Sequence, residues 1–407
     1  MPSVDEQIRA LTAGAVDVVS EAELRKKLER GTPLRAKLGL DPTKPDIHIG
    51  HSVVLHTLRR FQELGHTAVL IVGDFTAVVG DPSDRSSTRP ALSKEEAEAN
   101  AETYFDQAKK ILLPDNLEIR HNSEWLGKMD IADVLRLTAR VTVAQMLERD
   151  DFEKRYKDGK PISIMEFLYP LLQGWDSVMI NADVELGGTD QLFNNLMGRT
   201  LQEQEGQEPQ VVITVPLLEG LDGMQKMSKS LDNYVAVTEA PATQFGKLMS
   251  VPDTLTTRYF ALTSGASADD VADFTMKVER GGLSPVEAKR AMARRVVDAF
   301  HGDGAGESAE AEFDRVFKSK ETPTDIPEHL LDDGEAVDGR IRLANVLRQA
   351  GLVKTNAEGK RQITQGGVKI DGQAVSDPDA TYAPAELQGA TLQVGRRRWV
   401  KIRVPGE

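Results

Sequence analysis

Two short segments carry side chains that suit phosphate chemistry. His48-Ile49-Gly50-His51 sets two imidazoles around a glycine, and Lys226-Met227-Ser228-Lys229-Ser230 sets two ammonium groups among hydroxyls. Imidazoles near a helix start can donate to phosphoryl oxygens, and a glycine permits close approach of the backbone. Two lysines on a loop can close over a triphosphate and offset the charge that develops at the reacting phosphorus. Both segments therefore point to phosphate binding.

Each segment has another interpretation when it is taken alone. The histidines could be a metal pair, although no third ligand stands nearby, or two surface residues. The lysine segment could be an exposed basic loop. The chain contains neither a GxxxxGK[ST] phosphate loop nor a GxGxxG turn, so the sequence lacks the usual alternative cradles for ATP and dinucleotides.

A third group of polar residues suits recognition of a phenolic amino acid. Tyr169, Gln173 and Asp176 stand at i, i+4 and i+7, so they share one face of a predicted helix. An ionised Asp176 can accept a hydrogen bond from a phenol hydroxyl, while Tyr169 and Gln173 can contact an ammonium group. The alternative is a half-buried helix face whose polar groups have structural partners.

A βαβ unit is predicted to position the histidines. Alternating apolar residues over 34–40 predict a strand, helical spacing after it predicts a helix that starts near His51, and Thr67 to Val72 predicts a second, buried strand. Such a unit implies a parallel sheet with ligands at the carboxyl ends of its strands. Helices are also predicted at Ile164 to Trp175 and Leu192 to Gln204, and a strand at Val211 to Leu218.

The length of 407 residues exceeds the usual size of a single core. We predict an α/β catalytic domain at 1–235, an all-α domain at 236–320, an acidic linker at 321–339 and a small α+β domain at 340–407. The predicted helices Val271 to Val278 and Pro285 to Phe300 support the second domain, and a predicted strand at Val368 to Gly372 supports the last.

The distribution of charge sets the last predicted domain apart. The whole chain has a net charge of -14, yet residues 340–407 hold twelve Lys and Arg against six Asp and Glu. A net charge of +6 on an acidic body is typical of a nucleic-acid-binding appendage.

Composition predicts a cytoplasmic protein. There are no cysteines, no stretch of about eighteen apolar residues that could span a membrane, and no export signal in residues 1–24.

The two phosphate-binding segments, in this order and about 180 residues apart, resemble the HIGH and KMSKS motifs of class I aminoacyl-tRNA synthetases, and both match without substitution. The helix segment Glu166 to Asp176 resembles the tyrosine-binding helix of the tyrosyl-tRNA synthetases. Three Gly-containing segments are similar to that family as well: Gly39-Leu40-Asp41-Pro42-Thr43, Gly80-Asp81-Pro82-Ser83 and Gly187-Gly188-Thr189-Asp190-Gln191. Residues 341–403 resemble an S4-type RNA-binding module.

This resemblance implies a tyrosine-tRNA ligase with a Rossmann-like catalytic domain, an all-α anticodon-side domain and an S4-like domain. It implies ATP with Mg²⁺, L-tyrosine and tRNA(Tyr) as ligands, no dedicated metal site, and a homodimer. The implied catalytic residues are His48, His51, Lys226, Lys229, Arg85 and Arg89. The implied ATP-binding residues are Gly39, Gly50, Gly188, Asp190, Lys229 and Ser230. The implied tyrosine-binding residues are Lys37, Asp41, Thr76, Asp81, Tyr169, Gln173, Asp176 and Gln191. The implied RNA contacts are Arg361, Lys369, Arg396, Arg397 and Arg398.

One position departs from the family pattern. Many tyrosyl enzymes place a tyrosine two positions before the GxDPT segment, where it contacts the hydroxyl of the substrate, and this chain has Lys37 there. The ammonium of Lys37 could reach the pocket or extend to solvent. Three alternatives stay open: a synthetase for tryptophan, a paralogue that activates an aromatic amino acid without tRNA, and a non-catalytic RNA-binding protein.

Overall fold

The computed structural model describes residues 2–42, 46–80, 96, 100, 103–104, 106–229, 231–317, 326–395 and 398–404. Six predicted site residues lie outside the described residues: Asp81, Arg85, Arg89, Ser230, Arg396 and Arg397. The chain divides into two compact units, Met1–Glu310 and Ala311–Glu407. The predicted catalytic domain and most of the predicted all-α domain therefore share one unit.

A six-stranded sheet forms the centre of the first unit, in the order β1-β6-β5-β2-β3-β4. All neighbours are parallel except the edge strand β1, which runs antiparallel to β6. The central strands are apolar and buried, as expected for a parallel sheet that is covered on both faces. The strands are β1 (Asp17–Val19), β2 (Arg35–Leu40), β3 (Thr67–Val72), β4 (Leu117–His121), β5 (Val184–Gly188) and β6 (Val211–Val215).

Helices connect these strands, and the predicted βαβ unit is confirmed as β2, α3 and β3. The helix α3 begins two residues before His51, with His48 at its N-cap. The strand predicted at Val211 to Leu218 ends earlier, at Val215. The helices are α1 (Val4–Leu11), α2 (Glu21–Glu29), α3 (Ile49–Glu63), α4 (Thr76–Val79), α5 (Ser123–Leu126), α6 (Ile131–Thr138), α7 (Val143–Met146), α8 (Asp150–Lys157), α9 (Ile164–Met179) and α10 (Leu192–Gln204).

The helix α9 carries the three polar residues predicted to share one face. It continues to Met179, four residues beyond the predicted end at Trp175, and packs closely on α10. The contact is tight because glycines meet there: a Cβ on Gly174 would lie 3.1 Å from the backbone nitrogen of Gly198. This packing fixes the position of α9 beside the sheet.

A run of helices follows the sheet. Tyr259 and Phe245 are fully buried among these helices, and α12 packs against α3 of the sheet layer. The predicted helices over Val271 to Val278 and Pro285 to Phe300 are present. The helices are α11 (Pro241–Leu248), α12 (Thr256–Thr263), α13 (Ala268–Glu279), α14 (Pro285–His301) and α15 (Ala305–Phe317).

The second unit has its own apolar core beneath a five-stranded sheet ordered β10-β9-β12-β13-β7. Its first strand, β7, lies inside the segment 321–339 that the sequence predicts as a linker, and it pairs in parallel with β13. Residues 328–330 therefore belong to this sheet and not to a linker. The elements are β7 (Glu328–Leu330), β8 (Ile341–Arg342), α16 (Leu343–Gln349), α17 (Asn356–Thr364), β9 (Val368–Ile370), β10 (Gln373–Ala374), β11 (Thr381–Tyr382), β12 (Thr391–Val394) and β13 (Arg398–Arg403).

Within the described ranges, we find no helix that combines the length and the apolar character needed to cross a membrane.

Candidate active site

A cleft opens at the carboxyl ends of β2, β3, β5 and β6, where ligands of parallel sheets usually bind. The described residues that line it come from all three segments singled out in the sequence. The predicted site residues among them are Gly39, Asp41, His48, Gly50, His51, Thr76, Tyr169, Gln173, Asp176, Gly188, Asp190, Gln191, Lys226 and Lys229. The structure thus brings together fourteen of the predicted residues, which are spread over 190 positions of the chain.

The two histidines sit at the N-terminus of α3. Their rings lie 3.9 Å apart between centroids, and Nδ1 of His51 accepts a hydrogen bond from the backbone nitrogen of His48. Gly50 allows this arrangement because a Cβ there would lie only 2.9 Å from the ring of His48. Burial, with further contributions from His51, Lys229 and Lys226, holds the pKa of His48 well below its usual value. His48 is therefore neutral at pH 7 and can serve as a hydrogen-bond donor without carrying charge.

The lysine segment packs over the same cleft. Lys226 Nζ donates to Asp190 Oδ2 at 2.8 Å, and Lys229 Nζ donates to the Tyr104 hydroxyl at 2.9 Å. The backbone nitrogen of Met227 donates to Leu218, which ties the loop to the chain that follows β6. Both ammonium groups therefore lie in the cleft, and both contribute to lowering the pKa of His48.

Asp41 joins the two sides of the amino-acid pocket. Its carboxylate accepts a hydrogen bond from the Tyr169 hydroxyl and one from the Thr76 hydroxyl, each at 2.8 Å. Tyr169 reaches it from α9, whereas Thr76 begins the short helix after β3. The structure thus links three predicted pocket residues that are far apart in the sequence.

Asp176 lies at the deep end of the pocket and is almost fully buried. Its two carboxylate oxygens accept hydrogen bonds from the Trp125 indole at 2.8 Å and from the Asn122 amide at 3.3 Å. Burial raises the pKa of Asp176 to about 7, against the opposing influence of Lys37. The carboxylate can accept a further hydrogen bond from a substrate hydroxyl when it is ionised.

Lys37 lies elsewhere than predicted. Successive residues of a strand point to opposite faces of the sheet, and Leu38, not Lys37, is among the described residues that line the cleft. The Lys37 side chain is fully buried, with its ammonium 2.9 Å from Glu185 Oε1, 2.9 Å from the Gln173 carbonyl and 2.8 Å from the Ser177 hydroxyl. The structure therefore places the Lys37 ammonium against Glu185 and α9, and Lys37 is not among the described residues that line the cleft in which it was predicted to lie.

Gln191 and Asp190 follow β5 at the nucleotide side. The Gln191 amide oxygen accepts a hydrogen bond from Asn194 at 2.9 Å. Gly188 is required before them because a Cβ there would lie 2.4 Å from Asp190 Oδ1. The short segment therefore turns the Asp190 carboxylate toward the cleft.

Sequence reasoning missed Trp125, Asn122 and Tyr104. Asn122 directly follows β4, so the rule that parallel strands end at the ligand site could have found it. Trp125 and Tyr104 follow no such pattern, since each reaches its partner only through the tertiary fold.

The predicted RNA contacts lie on the second unit. Arg361 on α17 and Lys369 on β9 are exposed. Arg398 on β13 is exposed as well, but its guanidinium also donates to the Leu352 carbonyl and lies 3.7 Å from Glu358. The Arg398 guanidinium is therefore partly engaged in contacts within its own unit.

Comparison with known proteins places this cleft in a family. A model for class I tRNA synthetases (W and Y) matches residues 29–318, and an S4 domain model matches residues 341–384. The sheet, the cleft and these matches define the protein as a class I tRNA synthetase of the group that acts on tryptophan and tyrosine.

Relatives narrow the assignment further. The tyrosine-tRNA ligase of Nitratidesulfovibrio vulgaris is 50% identical over 404 residues, which are 99% of this chain and 100% of that protein. That of Carboxydothermus hydrogenoformans is 49% identical over 407 residues, 98% of each chain. The chain belongs to the tyrosine-tRNA ligase family.

A solved structure shares the fold. The tyrosyl-tRNA synthetase of Archaeoglobus fulgidus, solved in complex with L-tyrosine, superimposes with a TM-score of 0.63 at 23% identity, covering 75% of this chain and 99% of that one. The agreement supports the parallel-sheet architecture.

Proposed function

We propose that this protein activates L-tyrosine with ATP and transfers the tyrosyl group to the 3' end of tRNA(Tyr). The observation that carries the proposal is the position of Asp176, a buried acceptor at the deep end of the cleft that holds the histidine and lysine segments. A phenol hydroxyl is the donor that suits this acceptor, and the full-length similarity to tyrosine-tRNA ligases supports the same substrate.

In the first step, an oxygen of the tyrosine carboxylate attacks the α-phosphorus of ATP. A bond forms between that oxygen and phosphorus, the bond from the α-phosphorus to the bridging oxygen breaks, and pyrophosphate leaves. The carboxylate is already ionised at neutral pH, so no general base is needed. The protein contributes by positioning the reactants and stabilising the charge that develops on the phosphate.

The cleft residues divide this work. His48 and His51 donate to phosphate oxygens, and Lys226 and Lys229 neutralise charge at the α-phosphate and the leaving group. The backbone at Gly39, Gly50 and Gly188 leaves room for the nucleotide, and Asp190 holds its ribose. Arg85, Arg89 and Ser230, outside the described residues, are proposed to contact the phosphates as well.

Mg²⁺ is proposed to enter with ATP. This ion usually keeps several waters and binds substrate phosphates with few protein ligands. In the part of the chain that the structure describes, no group of three or more His, Asp or Glu side chains is placed to hold a metal. The phosphate oxygens would therefore supply most of its non-water ligands.

Tyrosine is proposed to bind with its ring between α9 and β2. Asp176 accepts from the hydroxyl, and Tyr169, Gln173 and Gln191 contact the amino acid at its other end. Thr76 and Asp41 shape the wall between them. Asp81, outside the described residues, is proposed to join these polar contacts.

In the second step, a hydroxyl of the terminal adenosine of the tRNA attacks the carbonyl carbon of tyrosyl-AMP, and AMP leaves. The second unit is proposed to hold the tRNA through phosphate contacts from Arg361, Lys369 and Arg398, together with Arg396 and Arg397 outside the described residues. The S4 match supports this role.

A homodimer in the cytoplasm is the proposed state. Large apolar side chains are exposed on the consecutive helices α6 to α9: Ile131 by 80%, Leu135 by 64%, Val143 by 64% and Ile164 by 76%. Exposed apolar surface of this kind often marks a protein interface. A second copy of this chain is the proposed partner, since the family resemblance implies a dimer.

Light scattering after gel filtration tests the dimer. Ile131→Asp with Leu135→Asp should yield monomers, whereas the control Val286→Asp, at a position 57% exposed on α14, should stay dimeric. A wild-type monomer at micromolar concentration would contradict the proposed state.

Charging of unfractionated tRNA tests the function. Labelled tyrosine should become acid-precipitable with ATP and Mg²⁺, and labelled tryptophan should not. Charging with tryptophan in place of tyrosine would overturn the proposed substrate, and RNA binding without charging would favour a non-catalytic protein.

A further inference from the structure

We propose that the buried ion pair Lys37–Glu185 is a positioning pair that holds Asp176 as the acceptor for the phenol hydroxyl, and that it thereby sets the preference for tyrosine over phenylalanine. The inference rests on the proposed function and deepens it. Neither side chain is placed to touch the substrate, so both residues act through Asp176.

The pair is built into the sheet beneath α9. Lys37 on β2 and Glu185 on β5 are direct neighbours in the parallel register, and their side chains are 0% and 1% exposed. The ammonium lies 2.9 Å from Glu185 Oε1. Two charges buried this deeply stabilise a fold only when both have partners. Removing one of them therefore leaves the other buried and unpaired, so that its own effect can be measured.

Lys37 forms hydrogen bonds with the turn of α9 that carries Asp176. Its ammonium donates to the carbonyl of Gln173, three residues before Asp176, and to the hydroxyl of Ser177, one residue after it. Glu185 accepts from the same Ser177 hydroxyl at 3.1 Å and from the Gln173 side chain at 3.2 Å. The pair is therefore attached to α9 on both sides of Asp176.

Glu185 also receives support from behind the pocket. The Gln210 amide, just before β6, donates to its second carboxylate oxygen, and Gln210 is itself fully buried. The position of Glu185 is thus fixed independently of Lys37.

The two charges act on Asp176 with opposite signs. Burial is the largest influence and raises the pKa of Asp176 to about 7, while Lys37 favours the ionised form and Glu185 opposes it. Among the described residues, two titratable groups are linked to Asp176 by hydrogen bonds: Asp41, through Thr76 and Asn122, and Tyr169 of α9, through Asp41. A small change in these influences therefore changes the fraction of Asp176 that is ionised at neutral pH and can accept a hydrogen bond.

The test uses three variants, Lys37→Met, Glu185→Gln and the double variant, in the full-length protein. Pyrophosphate exchange is measured with tyrosine and with phenylalanine from pH 5.5 to 8.5, and kcat/KM is compared. Phenylalanine has no hydroxyl, so its kcat/KM reports changes that do not pass through the phenol contact.

Opposite shifts are expected from the two single variants. Lys37→Met should move the acidic limb of the pH profile of kcat/KM for tyrosine to higher pH. At pH 7 it should lower kcat/KM by about fivefold, the loss expected when a pKa near 7 rises by about one unit. Glu185→Gln should move this acidic limb to lower pH. The limb of the double variant should lie between those of the two single variants. The ratio of tyrosine to phenylalanine should fall in Lys37→Met.

Lys27→Met is the matched control. Lys27 on α2 is 1% exposed and lies 3.4 Å from Asp183, so this variant also loses a buried lysine, but away from the cleft. It should lower the melting temperature without moving the limb. If Lys37→Met fails to fold, Glu185→Gln and the double variant still carry the test.

Three results would overturn the inference. Limbs that move in the same direction in both single variants, or stay in place, would make the pair a structural element alone, as would equal losses with tyrosine and phenylalanine. Wild-type protein that fails to exchange with tyrosine at all would instead remove the proposed function, so the two failures are distinguishable.

Discussion

Lys226 and Asp190 form an ion pair across the cleft, with Nζ 2.8 Å from Oδ2. Asp190 is the residue proposed to hold the ATP ribose, so the lysine loop touches the nucleotide side of the site in this structure. Lys229 is bound to the Tyr104 hydroxyl at the same time. Nucleotide binding must therefore exchange these partners for phosphate and ribose groups.

Lys229→Ala should lower the rate of tyrosyl-AMP formation by about 10²-fold or more while tyrosine affinity changes little, because its contact with phosphate strengthens in the transition state. Pre-steady-state adenylate formation and equilibrium tyrosine binding separate the two effects. Lys247→Ala is the control, since Lys247 pairs with Glu239 and is not among the described residues lining the cleft. Equal losses in rate and affinity would refute the role given to Lys229.

Asp176→Asn should reduce kcat/KM for tyrosine by about 10- to 150-fold, the effect expected for loss of a hydrogen bond to a charged group. The value for phenylalanine should change much less, because that substrate makes no such bond. Pyrophosphate exchange with both amino acids measures the ratio. A ratio equal to that of the wild type would show that Asp176 does not read the hydroxyl.

Tyrosine binding should weaken as the pH falls below about 7, since burial raises the pKa of Asp176 to about 7 and the protonated form loses acceptor capacity. Below that pKa the affinity should fall up to about tenfold per pH unit. Calorimetry with tyrosine from pH 5.5 to 8.5 measures this, with phenylalanine as the control ligand. A flat profile for tyrosine would contradict the assignment.

The same group should make the protein less stable as the pH rises. The folded pKa of Asp176 lies above its ordinary value of 3.8, so between those two values the folded state binds more protons than the unfolded state. The free energy of unfolding should therefore fall as the pH rises through this window. The test is to measure the free energy of unfolding of wild type and Asp176→Asn by denaturant titration at several pH values. The difference in this free energy between the two proteins should diminish toward acid pH. A difference that is independent of pH would refute the prediction.

Arg361→Ala and Lys369→Ala should raise KM for tRNA and reduce the salt dependence of tRNA binding, by about one unit of slope for each phosphate that the variant can no longer neutralise. Pyrophosphate exchange should be unaffected, because these residues lie on the second unit. Lys26→Ala, at an exposed lysine of the first unit, is the control. Unchanged tRNA binding in both variants would remove the proposed phosphate contacts.

Local patterns in the sequence predicted the βαβ unit around His48 and the shared helix face of Tyr169, Gln173 and Asp176. Both depend on spacing within a few residues, which periodicity reports well. The acidic composition of 321–339 favoured a linker, whereas residues 328–330 form the strand β7. Local patterns did not indicate this strand, because β7 is short and is stabilised by pairing with β13, about seventy residues later.

Contacts between segments that are distant in the sequence could not be predicted from local patterns. The environment of Lys37 depends on Glu185, which lies 148 positions away, and the acceptor role of Asp176 depends on Trp125, 51 positions away. Neither pairing leaves a mark in the local sequence. The departure of Lys37 from the family pattern could be recognised from the sequence, but its burial could not.

Pyrophosphate exchange with each of the twenty amino acids, in the presence of ATP and Mg²⁺ and without tRNA, tests the central claim most directly. We expect exchange that depends on tyrosine, with every other amino acid far weaker. Exchange with tryptophan in place of tyrosine, or no exchange with any amino acid, would contradict it.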